Sequence, residues 1–167
     1  MLKNIILHEK QGYLISDRAD RKYFSDIDVA EGFLLLAPNS SAYFADSRYY
    51  SALVKKLEGT PYKPVLYKGV SSIKEYLKSK KIKTLFVDYR FTTLKEYEAY
   101  KSLKVKLKDG SDFLEKARSV KTNEEYENIK KACEITKKAY YLTIQKAKLG
   151  ITEKELATIM KNTTAFA

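Results

Sequence analysis

An α/β fold, a mixed β-sheet flanked by helices and followed by an orphan helix pair, is predicted by three features of this 167-residue sequence. Up to about residue 118 the apolar pattern switches repeatedly between a period of two and a helical period, which is how strands alternate with covering helices. The run GFLLLA, 32–37, is almost continuously apolar and stops at Pro38, as a strand buried on both faces does. From Thr122 onward the pattern is helical only, with no later strand for those helices to cover.

The elements follow in order. GYLIS, 12–16, is a short strand before the turn-rich SDRAD, and the aromatic RKYFS around Tyr23 reads as a second strand. After GFLLLA, a Pro-Asn-Ser-Ser turn leads into the strand SAYFAD, 41–46. SRYYSALVKKL then places Tyr50, Leu53, Val54 and Leu57 on one helical face and stops at Gly59. PVLYK is a strand, and Ser72 with Glu75 has capping-box spacing for the helix through Leu77. TLFVD, 84–88, is the next strand, and Thr93 with Glu96 caps another helix. KVKLK, 104–108, alternates Lys outward with Val105 and Leu107 inward, and the short helix SDFLEKARS follows. These elements form one domain, residues 1–118.

Residues 119–167 read as a hinge followed by two helices. Thr122 and Glu125 open a helix expected to reach Gly150; Thr152 and Glu155 open one expected to reach Lys161. The acidic first turn, Glu124, Glu125 and Glu127, complements the positive end of the helix dipole. Ile129, Ala132, Cys133, Ala139, Tyr140, Ile144 and Ala147 make a broad apolar face. Soluble monomers rarely leave such a face open, so these helices are expected to pair with a second chain or to fold back on their own domain, with pairing favoured.

The net charge of +11 invites a nucleic-acid reading, and 12 basic residues face 4 acidic ones between Lys68 and Lys108. Yet only 5 of the 32 basic residues are Arg, the residue that reads bases through its planar fork, and no nucleic-acid motif accompanies them. A solvated lysine surface without sequence-specific nucleic-acid binding is the expectation. The amino terminus has an apolar run of only three residues before a charge, too short for a signal peptide or membrane span. One cysteine, Cys133, fits a reducing cytoplasm, and its place on the apolar face reads as a core residue. His8 has no sequence partner and receives no role. Asp46 and Arg48, at a strand–helix corner, read as a buried ion pair, with Arg48 facing an active site across the domain boundary as the other possibility.

Several motifs together carry a resemblance. Asp20 to Ser25, DRKYFS, and Ala45 to Tyr49, ADSRY, precede a junction of Arg118, Lys121, Thr122, Glu125, Tyr126, Ile129 and Ala132. Gly150, Thr152, Glu153, Glu155, Leu156 and Ala157 follow at a fixed distance. This order resembles the amino-terminal half of the pita-bread metallopeptidases: aminopeptidase P, prolidase and creatinase. Two departures stand out: no glycine follows the first motif, and Ser47 occupies the position of the second motif's glycine.

The resemblance implies a ribonuclease H-like amino-terminal domain and the first helices of a catalytic domain. It implies a parent that removes the residue before proline from proline-containing peptides, with two divalent metal ions, manganese by expectation, and assembles as a homo-oligomer. The family's two Asp, one His and two Glu metal ligands would lie beyond Ala167, so no catalytic or metal residue is assigned here. Arg48 is the one candidate substrate-binding residue.

Overall fold

The computed structural model describes residues 7–165. The chain forms two compact units, the first ending at Ser119 and the second beginning at Val120.

The first unit runs β1 (Gln11–Ile15), α1 (Arg18–Ser25), β2 (Phe33–Leu36), β3 (Ala42–Ala45), α2 (Ser47–Leu57), β4 (Lys63–Leu66), α3 (Val70–Ser79), β5 (Thr84–Val87), α4 (Leu94–Lys101), β6 (Lys106–Asp109) and α5 (Ser111–Ser119). The strands build one mixed sheet in the order β4-β3-β2-β1-β5-β6. β2 runs antiparallel to both neighbours, and every other pairing is parallel. Five strands therefore end at the same edge of the sheet, beside the start of β2.

Period-two alternation divides the strands between two cores. Leu34, Leu36, Tyr43 and Ala45 face Phe24 of α1, Leu53 and Leu57 of α2, and Leu114 of α5. Leu35, Ala42 and Phe44 face Ile73 and Leu77 of α3 and Tyr100 of α4. Helices on both faces explain why GFLLLA does not alternate with polar residues. Each fully buried leucine contributes about 1.5–3 kcal/mol. Gly32 lets the chain enter β2 at φ 144°, where a Cβ would lie 2.3 Å from the Phe44 carbonyl oxygen. The outermost strands differ from those inside: β4 carries Lys63 and Pro64, and β6 alternates Lys106 and Lys108 with half-buried Leu107.

Several sequence expectations are corrected. RKYFS is part of helix α1, not a strand. The Asp17 carboxylate accepts the Asp20 N–H at 2.9 Å to start it, and Asp26, in the left-handed region at φ 58°, ends it. Burial of Asp20, Arg21, Phe24 and Ser25 on one side holds the helix to the sheet. Ser72 and Glu75 do not cap α3, which starts a turn earlier after Gly69 at φ 107°; the Ser72 hydroxyl instead accepts the Lys68 N–H at 2.9 Å. The Thr93–Glu96 capping box forms as read.

The second unit contains α6 (Asn123–Lys146) and α7 (Glu153–Ala165). The expected capping boxes start both, Thr122 with Glu125 and Thr152 with Glu155. α6 stops at Lys146, short of Gly150, because Ala147 turns extended at ψ 122°. α7 continues past Lys161 to Ala165. Of α6, only Ala139 is fully buried; Ile129 is 48% and Ile144 50% exposed. Cys133 is exposed as well, so the core role read for it is corrected: it lines an open groove with Ile129, Tyr140 and Met160.

Candidate functional site

After β1 the chain passes to α1 on one face of the sheet, and after β5 to α4 on the other. In open α/β sheets the crevice at such a reversal, outside the carboxyl ends of the strands, is the usual ligand position. All five arginines collect at or beside this edge: Arg18 and Arg21 after β1, Arg48 after β3, Arg90 after β5, and Arg118 through its bond to Asp20. With them lie Asp17, Asp20, Asp46, Asp88 and Asp109.

Asp88 is the buried centre of one group. Its Oδ2 accepts Arg90 Nη2 at 2.7 Å, and its Oδ1 accepts Arg90 Nε at 3.0 Å and the Arg90 backbone N–H at 2.9 Å. Ser111 Oγ lies 2.9 Å from Asp88 Oδ1 and 2.5 Å from Asp109 Oδ1, so its single proton serves one of them at a time. Arg90 also donates to Glu115 at 2.6 Å, which fastens the loop after β5 to α5. Burial pushes the Asp88 carboxyl up, but Arg90 and Ser111 together outweigh it and hold it below its ordinary value of 3.8. For Asp109 the Ser111 hydroxyl is the main cause of a similar lowering.

A carboxyl lowered in the folded state contributes stability present above its unfolded value and lost as pH falls through its folded one. Asp88→Asn is therefore expected to cost about 1–2 kcal/mol at neutral pH, reduced by the half-exposed position of Arg90. It should also flatten the fall in thermal midpoint below pH 3.8. Melting curves from pH 7 to the acid limit check this; equal acid slopes for both proteins would refute the assignment.

Asp20 behaves in the opposite sense. Burial raises its carboxyl above the ordinary range, and the hydrogen bond from Arg118 only partly opposes this. Its contribution is present at low pH and lost as pH rises through the raised value. The Arg118 guanidinium lies over the Tyr23 ring at 5.9 Å, and Tyr23 Oη donates to the Ala117 carbonyl at 3.0 Å. Both contacts hold the last turn of α5 against α1.

Arg48 stands at the surface, its side chain 70% exposed. Its backbone N–H bonds Asp46 Oδ1 at 2.9 Å, while Nε and Nη2 bond Asp46 Oδ2 at 3.1 and 2.6 Å. The expected pair thus forms, but on the outside of the strand–helix corner, where Asp46 also caps α2; its burial is corrected. The hydrogen bonds from Arg48 hold the Asp46 carboxyl below its ordinary value. His8 is exposed, and its carbonyl accepts the Gln11 N–H at 3.2 Å.

Sequence reasoning missed the buried arginine, Arg21. Its guanidinium donates to the carbonyls of Ser16 at 3.1 Å, Val29 at 3.2 Å and Ala30 at 3.1 Å, and to Tyr43 Oη at 2.8 Å. All four acceptors are neutral. It borders a cavity of about 240 Å³ shared with Ser16, Glu31, Phe33, Tyr67 and Glu96.

Among the described residues, no group of three or more His, Cys, Asp or Glu side chains is placed to hold a metal ion. At the edge, Asp20, Asp46, Asp88 and Asp109 are bonded to guanidinium or hydroxyl groups instead, and Asp17 to a backbone N–H. The described residues do not fit a two-metal centre. Among the described residues no helix is long and apolar enough to cross a membrane.

Comparison with known proteins agrees with this architecture. The chain superposes on an Xaa-Pro dipeptidase from Bacillus anthracis with a TM-score of 0.81 and 22% identity, covering 93% of this chain and 44% of that one. For an X-Pro aminopeptidase from Thermotoga maritima the TM-score is 0.78 and the identity 28%, covering 93% and 46%. A prolidase from Pyrococcus furiosus gives 0.73 and 24%, covering 93% and 45%. The chain thus spans less than half the length of these proteins. No curated protein matches the sequence. Residues 7–120, from just before β1 through α5, match the Creatinase/Prolidase N-terminal domain, and the chain belongs to that family.

Proposed function

We propose that this chain is the amino-terminal part of a metal-dependent Xaa-Pro aminopeptidase, a parent that removes the residue preceding proline from the amino terminus of a peptide. The observation that carries this reading is the 28% identity to the Thermotoga maritima X-Pro aminopeptidase over 93% of the chain, which reaches beyond the family domain into the second unit. A proline dipeptidase parent is the second reading, favoured by the likeness to the Bacillus anthracis and Pyrococcus furiosus proteins.

In this proposal residues 1–118 shape the substrate opening and build subunit contacts, with Arg48 as the exposed side chain offered to a peptide. Residues 119–167 form the hinge and the first helices of the catalytic domain. Two divalent ions, manganese by preference, would be held by other parts of the parent and would activate water and polarise the scissile carbonyl. A cytoplasmic location and a homo-oligomeric state complete the reading. A non-catalytic peptide-binding module of the same fold is the outcome to which a failed activity test would point.

The 167-residue polypeptide alone is expected to show no cleavage of Xaa-Pro or Xaa-Pro-Yaa peptides, with or without added manganese or cobalt. The parent protein should cleave Xaa-Pro-Yaa and lose that activity with a chelator. Chelator-sensitive cleavage by the 167-residue chain would refute the division of labour. A parent that cleaves only dipeptides would favour the prolidase reading.

A further inference from the structure

We propose that the cavity beside Arg21 is a binding site for an α-aminoacyl group, an ammonium next to a carbonyl or carboxylate oxygen. This goes beyond the peptidase reading and stands apart from it, because every residue involved belongs to the first unit and no metal is required.

The cavity, of about 240 Å³, opens at the carboxyl edge of the sheet, with Ser16 following β1, Phe33 opening β2 and Tyr67 following β4. Two kinds of group meet in it. One is the Arg21 guanidinium, almost fully buried, whose four hydrogen bonds all go to neutral oxygens. A guanidinium has five N–H donors, so one remains, and among the described residues no carboxylate pairs with its charge. Burying a cation without a counter-charge is costly, so a site that keeps one favours an electron-rich oxygen beside it. The other group is acidic. Three carboxylates line it: Asp46 is held by Arg48, Glu31 is exposed and feels the Arg48 charge without a direct ion pair among the described residues, and Glu96 uses Oε2, which accepts from the Thr93 N–H and Oγ1 at 2.8 Å each.

These surroundings select the ligand. A simple anion would meet Glu31 and Glu96 and be repelled, and a simple cation would meet Arg21. A ligand with an ammonium at one end and an oxygen acceptor two bonds away satisfies both. The tilted Phe33 and Tyr67 rings, 5.0 Å apart, give its side chain an apolar wall. The volume admits a single residue, not a folded segment. Such a group comes either from a free amino acid or from the amino terminus of a peptide.

The test is an NMR titration of the ¹⁵N-labelled 167-residue chain with alaninamide, alanine and N-acetylalaninamide. Alaninamide or alanine, or both, should bind saturably with Kd of about 1 mM and move the amide signals of Gly32, Phe33 and Tyr67. N-acetylalaninamide, which lacks the ammonium, should not. Tighter binding of alaninamide identifies a peptide amino terminus; tighter binding of alanine identifies a free amino acid. The Glu31→Gln/Glu96→Gln double variant keeps the α4 capping box, which accepts Gln, and should weaken binding at least ~10-fold. The proposal is overturned by equal binding of the acetylated compound, by shifts confined to other residues, by unchanged affinity in the double variant, or by no saturation with either amine.

Discussion

Replacing Arg21 with methionine is expected to destabilise the first unit by about 3–5 kcal/mol, one of the largest effects available from a single side chain here. Two terms compete. Methionine removes a buried charge, which is favourable. It also strands the Tyr43 hydroxyl and the carbonyls of Ser16, Val29 and Ala30, which Arg21 gathers from four separate positions. Stranded buried polar groups cost roughly 1–3 kcal/mol each, and with the Val29 carbonyl and the Tyr43 hydroxyl both buried the loss exceeds the relief. For a unit of this size the thermal midpoint should fall by more than ~10 °C. Arg18→Met is the control: its pair with Asp28 at 2.7 Å is exposed, and solvent screening leaves such pairs little to contribute. An Arg21→Met protein that melts with the Arg18→Met control would show that the guanidinium is not holding these segments together.

The largest change in assembly is expected from the Ile129→Glu/Ile144→Glu pair. Full burial of an isoleucine contributes about 1.5–3 kcal/mol. Ile129 and Ile144 are already half covered, so each gains about half of that on pairing. Across a two-fold seam, which counts each residue twice, and with Tyr126 and Tyr140 added, the gain is of the same order as the association cost of about 4–15 kcal/mol. The proposed homodimer is therefore weak, formed at high micromolar concentration, and two glutamates on each side should abolish it while the first unit stays folded. Light scattering across a dilution series, with circular dichroism as the folding control, decides the matter. An unmodified chain that is monomeric at high micromolar concentration would refute the pairing.

How far the sequence disclosed this structure depends on where each residue's partners lie. β2, β3, β5, α2 and α4 were readable because their signals are local: an apolar run, a turn, a capping box. RKYFS misled because its aromatic residues resemble a strand, whereas the deciding features are the Asp17 cap and the left-handed Asp26. The Asp46–Arg48 pair was visible as Asp-x-Arg after an apolar strand. Asp88-Tyr89-Arg90 repeats that spacing after β5 and would have revealed the second pair by the same reasoning. Ser111, Glu115 and Arg118 meet Asp88, Arg90 and Asp20 at the edge through contacts 21–98 positions apart in the chain. Arg21 was unreadable for a similar reason. Its partners are mostly backbone carbonyls, which every residue has, so nothing in their identities marks them.

The two outer strands have a consequence for how the polypeptide behaves when crowded. A sheet that ends in a bare strand offers unpaired backbone groups to any other extended chain, and stacked edges of this kind seed aggregates. On one side Pro64 removes a donor from the edge, beside the charge of Lys63. On the other, Lys106 and Lys108 would have to be brought together with the same lysines of a second molecule before their strands could zip. The lysines therefore serve as a guard against precipitation, and that guard weakens as salt screens their charge.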